Sequence, residues 1–261
     1  MNHDPQSIQR WRCLCAYDGT EYAGWQKQPS KDSVQDAIEQ ALGKVFQNPV
    51  RTIGAGRTDS GVHARGQVFH FDQDWKHGGE KLLQALRSFL PADISPRTIE
   101  PVSIGFHALS SSRGKRYIYR AVEGWAMPED ERFALSLKNQ KLNLDEMKRG
   151  ASFLLGKHDF SAFSASRGKG ERENPVKEIW ILEINRNGAG YDFIVEGSGF
   201  LYKMVRSIVG GLFEVGRGKI NANKIKDILE SCERTEVVVS AAAKGLCLDK
   251  VYYQVPNFLS K

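Results

Sequence analysis

Four cysteines in 261 residues, none in a CxxC pair, are too few and too scattered for a disulfide framework. Cys13, Cys15, Cys232 and Cys247 therefore read as buried thiols of a reducing compartment. No apolar run approaches the roughly 20 residues of a membrane-spanning helix. The opening stretch MNHDPQSIQRWR also lacks the apolar core of a secretory signal. Both absences point to the cytoplasm. Common catalytic signatures are missing as well. Gly54-Ala55-Gly56 begins like a dinucleotide fingerprint, but the next glycine is Gly61, so GxGxxG fails, and no Gly-Lys-Ser/Thr makes a phosphate loop. His63, His70 and His77, with Asp72 and Asp74, follow no HExxH or Cys/His spacing, so no metal is expected. Asp59 has no second carboxylate within its motif, which argues against a two-carboxylate glycosidase.

Positive charge is in modest excess. Lys and Arg total 37 against 31 for Asp and Glu, a net +6. The excess is clustered: Arg113, Lys115, Arg116 and Arg120; Arg167, Lys169 and Arg172; Lys203 and Arg206; Arg217 and Lys219. Such clusters are either solvated faces or sites for a polyanion, whose counterions are released on binding.

Periodicity outlines the chain. A strand at 11–17 ends at Asp18-Gly19, and Ser33 caps a helix whose apolar residues Val34, Ala37, Ile38, Ala41, Leu42 and Val45 share one face. A strand follows through Val68–Phe71. A second helix carrying Leu82 to Leu90 runs to Pro91, and another strand is expected near Val102–Ile104. The second half reads as a strand at 116–122, a helix from Asn143 to about Leu155 and a hairpin of 176–184 with 191–196. Helices at 201–215 and 221–232 and a last strand at 250–255 complete it. Hairpin-like strands mixed with helices, without regular alternation, indicate an α+β class. Residues 164–175, SASRGKGERENP, read as a mobile basic loop.

Three pieces bear on chemistry, and each also has a plain structural explanation. Asp59, among glycines at 54, 56, 61 and 66, is either an Asx-type turn residue or a carboxylate held ionised as base or nucleophile. Arg206, at the border of an apolar helix face, either snorkels to solvent or meets a carboxylate. Tyr117 and Tyr119 alternate with Arg116 and Arg120, as a sheet core would or as a base-stacking platform beside phosphates would.

Taken together the sequence closely resembles the tRNA pseudouridine synthase family that modifies uridines 38, 39 and 40 of the anticodon arm. The likeness covers YDGTEYAGWQKQP at 17–29, GAGRTDSGVHARGQVFHF at 54–71, FHA and KRYIY between 106 and 119, and LLGKHDFSAFSAS at 154–166. It continues through GFLYKMVRSIVGGLFEVGRG at 199–218 to AKGLCL and VYY near the end. The resemblance implies two α/β domains with antiparallel sheets joined across a central catalytic cleft. The boundaries expected are a polar tail at 1–10, an N-terminal domain at 11–108 and a C-terminal domain at 109–261. It implies Asp59 as catalytic aspartate, Arg206 as its basic partner, Tyr117 as the residue stacked on the target base, Arg57 as the filler of the space left by the flipped nucleotide, and Leu246 near the pocket. It further implies a homodimer acting on tRNA with neither cofactor nor metal. Two positions depart from the family pattern: Leu109 stands where arginine is usual, and Ala241-Ala242 where Ala-Pro is usual. The alternatives are a catalytically silent RNA-binding protein, which would not need Asp59, Arg206 and Tyr117 together, and a sugar-processing hydrolase using Asp59, which would release free uracil or sugar and need a second acid in the pocket.

Overall fold

The computed structural model describes residues 8–30, 32–165 and 173–256. Its elements run β1 (Gln9–Tyr17), α1 (Val34–Phe46), β2 (Ile53–Gly54), β3 (His63–Gln73), α2 (Gly78–Arg87), β4 (Ile94–Val102) and β5 (Gly114–Val122). They continue as β6 (Leu135–Ser136), α3 (Leu144–Ser152), β7 (Gly156–Asp159), β8 (Val176–Asn187), β9 (Gly190–Gly197), α4 (Met204–Gly216), α5 (Asn223–Ser231) and β10 (Leu246–Tyr252). The class is α+β. Two compact units are present, Met1–Ser112 with Leu248–Lys261, and Arg113–Cys247. No helix among the described residues is long and apolar enough to cross a membrane.

In the first unit the strand order is β4-β1-β3-β10, of which β10 belongs to this unit from Leu248 on, with β2 also paired to β3. β1 runs antiparallel to both β3 and β4. Its alternation has a direct cause: Trp11, Cys13, Cys15 and Tyr17 are buried, while the residues between them are partly exposed. The core also takes Val34, Ile38 and Leu42 from α1, Leu82 and Leu86 from α2, and Phe69 and Phe71 from β3. Ser33 caps α1 reciprocally with Asp36: its Oγ accepts the Asp36 N–H at 3.1 Å and donates to the Asp36 carboxylate at 2.6 Å. α2 is shorter than its apolar spacing suggests, ending at Arg87 and leaving Phe89 exposed. The Arg87 guanidinium there donates through Nε and Nη2 to the Pro96 carbonyl. The strand expected near Val102–Ile104 is instead β4, which ends at Val102.

In the second unit the order is β5-β9-β8-β7, and β6 lies parallel on β5. β8 and β9 form the expected hairpin, with Gly188 at φ +56° in its two-residue loop. Asn143 caps α3 by accepting the Glu146 N–H. α4 is buried almost all round, through Met204, Val205, Ile208, Val209, Leu212, Phe213 and Val215. It begins at Met204 rather than Leu201 because Lys203 sits in the left-handed region at φ +58°. β10 starts and ends earlier than the strand read at 250–255. Of the cysteines, Cys13 and Cys15 are buried, but Cys232 is exposed, just past the end of α5, and Cys247 is half-buried. Of the basic segment 164–175, residues 166–172 lie outside the described residues, as do 1–7 of the polar tail.

Candidate active site

Asp59 lies on the irregular loop between β2 and β3, half-buried, with Arg57 exposed two residues before it. The loop is fixed mainly through its backbone. The Trp25 N–H donates to the Thr58 carbonyl at 3.1 Å, the Val62 N–H closes a turn onto the Asp59 carbonyl at 3.1 Å, and the Gly61 N–H reaches the Tyr22 carbonyl at 3.3 Å. Side chains finish the hold: Ser60 Oγ donates to the Tyr22 carbonyl, Gln67 Nε2 donates to the Gly56 carbonyl at 2.9 Å, and the Tyr17 and Thr58 hydroxyls bond at 2.8 Å. Beneath the loop, buried Trp25 stacks on Tyr17, with ring centroids 6.0 Å apart. Gly24 permits the close approach. At φ +98°, a Cβ there would lie 2.5 Å from the Thr58 carbonyl oxygen and 3.1 Å from the Asp59 carbonyl carbon. The carboxylate is thus carried on backbone whose position is set from several sides, which is what pre-organisation of a reacting group requires. The nearby histidines serve the frame. His63 Nδ1 accepts the Gly19 N–H and His70 Nδ1 accepts the Ala108 N–H, so both lone pairs are engaged by backbone.

The other expected residues sit in the second unit. Tyr117, on β5 opposite Val195 of β9, is 8% exposed and meets Phe200 edge-on at 5.3 Å. On the opposite face of β5, Arg116 Nε stands 3.2 Å from the buried Glu196 carboxylate. Arg206, in the first turn of α4, is half-buried, and its Nε donates to the Ala241 carbonyl at 2.7 Å. Leu246 is buried at the start of β10, directly after the short 3-10 turn Ala243–Gly245. Tyr119, which lay in the strand pattern but carried no role of its own, links these parts. It packs edge-on to Phe213 of α4 at 6.0 Å, and a Cβ on Gly245 would lie 2.6 Å from its ring. Burial raises its phenol well above the usual range, and the Arg206 charge offsets part of that rise. Its hydroxyl is buried without a hydrogen-bond partner among the described residues.

The structure therefore puts Asp59 and Arg57 on one loop of the first unit, and Tyr117, Arg206 and Leu246 in the second. Reading residue types missed Tyr17, Gly24, Trp25, Thr58 and Gln67, the supports of the Asp59 loop. The available signal was the Gly24-Trp25 pair, a glycine directly before a large aromatic in a segment with no periodicity of its own.

Comparison with known proteins bears on identity. A family profile described as tRNA pseudouridine synthase matches residues 14–108 and 151–254. The chain is 42% identical over 238 residues to the tRNA pseudouridine synthase A of a Thermoanaerobacter species, covering 91% of this chain and 96% of that one. It is 41% identical over 245 residues to the protein of the same name from Acetivibrio thermocellus, covering 93% and 98%. It is 39% identical over 237 residues to tRNA pseudouridine synthase A 2 of Clostridium perfringens, covering 91% and 96%. A solved Cbf5-Nop10-Gar1 complex matches at 12% identity with a TM-score of 0.36, over 91% of this chain and 48% of that one, a likeness too slight to bear on the fold. With relatives that match over most of its length and a family profile that includes the Asp59 loop and α4, the chain belongs to the tRNA pseudouridine synthase family, isomerases of tRNA uridine.

Proposed function

We propose that the protein converts uridine to pseudouridine at positions 38, 39 and 40 of the tRNA anticodon stem-loop, with Asp59 as the reacting carboxylate. The observation that carries this reading is the Asp59 loop, a half-exposed acid on backbone held by the peptide groups of Tyr22 and Trp25 and by the close approach of Gly24. The reaction breaks the N1–C1′ bond, turns the uracil and forms a C5–C1′ bond; the hydrogen on C5 leaves as a proton and N1 ends protonated. Nothing is oxidised and no fragment is lost, so one acid suffices where hydrolysis of a sugar uses two.

Asp59 acts as nucleophile at C1′ or C6, or as base at C2′. Arg206 supplies the positive charge that keeps it ionised and pre-positioned. The target nucleotide leaves its stack at a cost of a few kcal/mol, which stacking on Tyr117 offsets. Arg57, exposed beside Asp59, occupies the vacated space, and Leu246 contributes apolar surface near the base. The protein works in the cytoplasm as a homodimer on tRNA.

Transcripts of tRNA tritiated at uracil C5 test the reading. Tritium should appear in water in proportion to enzyme turnover, and the modified positions should map to 38, 39 and 40. Label retained on intact RNA would overturn the isomerase reading, and release of free uracil would replace it with a hydrolase. Release mapped to other uridines would remove the anticodon assignment alone.

A further inference from the structure

Segment 234–242 runs across the first turns of α4 as a strap. Arg206 Nε donates to the Ala241 carbonyl at 2.7 Å, and the Ala241 N–H donates back to the Arg206 carbonyl at 2.9 Å. The neighbouring Ser207 and Ser240 hydroxyls lie 3.1 Å apart. Gly210 lets the strap lie flat, since a Cβ there would fall 1.7 Å from the Val239 carbonyl oxygen. The side-chain anchor comes from Arg234. Its Nη1 donates to Ser207 Oγ at 3.1 Å, and its Nη2 donates to the Val238 carbonyl at 2.6 Å and reaches Ser240 Oγ at 3.4 Å. One guanidinium therefore ties both ends of a single contact, helix on one side and strap on the other.

The consequence concerns Arg206. A guanidinium held at Nε by a backbone carbonyl is oriented in part by that carbonyl, and the Ala241 carbonyl is placed both by the strap and by the bond from the Ala241 N–H to the Arg206 carbonyl. We propose that Arg234 is a positioning residue: by binding residues 238–240 to Ser207 it sets the Ala241 carbonyl and through it the orientation of Arg206. Arg234 touches no reacting atom. The inference rests on the reading of Arg206 as the cation that supports Asp59.

The test measures kcat and KM for tRNA, thermal stability and proton exchange at Arg206 Nε. It uses Arg234→Gln and Arg234→Lys, alone and in an Arg206→Lys background. Arg234→Gln should lower kcat about tenfold, with KM for tRNA changed less than about twofold. Arg234→Lys should fall between, because one ammonium cannot reach both sides with the fork of a guanidinium. In the Arg206→Lys background, which has no Nε–H for Ala241, the same Gln substitution should change kcat less than about twofold, although any loss of melting temperature persists. Exchange at Arg206 Nε should speed up about tenfold in Arg234→Gln, while that of Arg10 Nε, bound to Asp72 in the other unit, stays as it was.

Unchanged exchange at Arg206 in Arg234→Gln, wild-type kcat in that variant, or an equal fold-loss of kcat in both backgrounds would each overturn the proposal, the last by showing a general structural role. Should Arg234→Gln not fold, Ser240→Ala removes part of the same tie with Arg234 in place, and must show the same faster exchange in smaller measure. Wild-type kcat in Arg206→Lys and Arg206→Gln would instead strike the reading of Arg206, while the exchange result still judges the tie.

Discussion

The carboxylate of the first unit and the guanidinium of the second are held by different means. Asp59 rides on a loop fixed largely by peptide groups, and the residue that admits its closest support is a glycine. Arg206 is a long side chain on a regular helix, steered through its own Nε by a strap that other side chains tie down. A backbone frame has few intermediate settings, because a displaced peptide loses its hydrogen bonds together. A side-chain frame loosens one contact at a time. Damage near Asp59 should accordingly be abrupt, and damage near Arg206 graded.

The largest expected effect is at the acid itself. Asp59→Asn keeps the size and the loop but removes the reactive charge. If Asp59 is the reacting carboxylate proposed above, the change should cut single-turnover tritium release by at least about 10³-fold while tRNA affinity changes less than about threefold. Release near the wild-type rate would remove Asp59 from the chemistry. Gly24→Ala tests the frame without touching the acid. The added methyl would meet the Thr58 carbonyl at 2.5 Å in a backbone at φ +98°, so kcat should fall about 10²-fold and stability by about 1–3 kcal/mol. Gly78 supplies the control. It too has a positive φ, +78°, but nothing lies within 4 Å of its Cβ position, so Gly78→Ala should lower the melting temperature and leave kcat alone. Equal loss of kcat in both alanine variants would show that backbone strain, rather than support of the loop, is what matters.

The same contrast explains what the residues revealed. α1 was legible because its cap and its apolar spacing are local; Asp59 drew notice as an acid among glycines, but its local pattern fitted a turn residue as well as a reacting carboxylate, and its role came from the resemblance. Strand alternation placed Tyr117 and Tyr119 on one face, which the structure shows to be buried. The supports were not legible. Gly24 matters for its contact with residues 58–60, and no local pattern shows a contact that far along the chain. The start of α4 was misread because Lys203, a residue with no special licence for left-handed backbone, adopts it. The strap at 234–242 shows no helix or strand periodicity, so nothing in the sequence marked Arg234.

Buried polar rings extend the comparison to stability. In the first unit His70, 3% exposed, accepts the Ala108 N–H. Burial, with Arg10 and His107 nearby, pushes its pKa down from 6.5 to about 4. Folding thus keeps His70 neutral where the unfolded chain would be protonated. Its contribution is complete above about pH 6.5 and is lost as the pH falls toward about 4, an effect on the order of 2–3 kcal/mol. Urea denaturation at pH 7 and pH 4.5 should show that loss in the wild type and a flatter dependence in His70→Phe. The depressed pKa of Asp72, held down by Arg10, acts below this window and does not mask it.

Tyr119 is the opposite case and carries the smallest expected effect. Its ring packs between Phe193 and Phe213, but its hydroxyl finds no partner among the described residues. A buried hydroxyl left unpaired costs more than an apolar group of the same shape, so Tyr119→Phe should stabilise the fold by about 1 kcal/mol. Tyr117→Phe, at the ring proposed to stack on the base, keeps the aromatic face and should be milder than Tyr117→Ala in kcat. A loss of stability in Tyr119→Phe would mean that the hydroxyl has a favourable partner in solution. With Arg206 acting on that phenol and Gly245 against its ring, such a partner would lie where the elements carrying Arg206, Tyr117 and Leu246 converge. The second unit would then keep one fewer buried polar group unpaired, with Thr235 Oγ1 still buried without a partner among the described residues, and the contrast between the two frames would narrow accordingly.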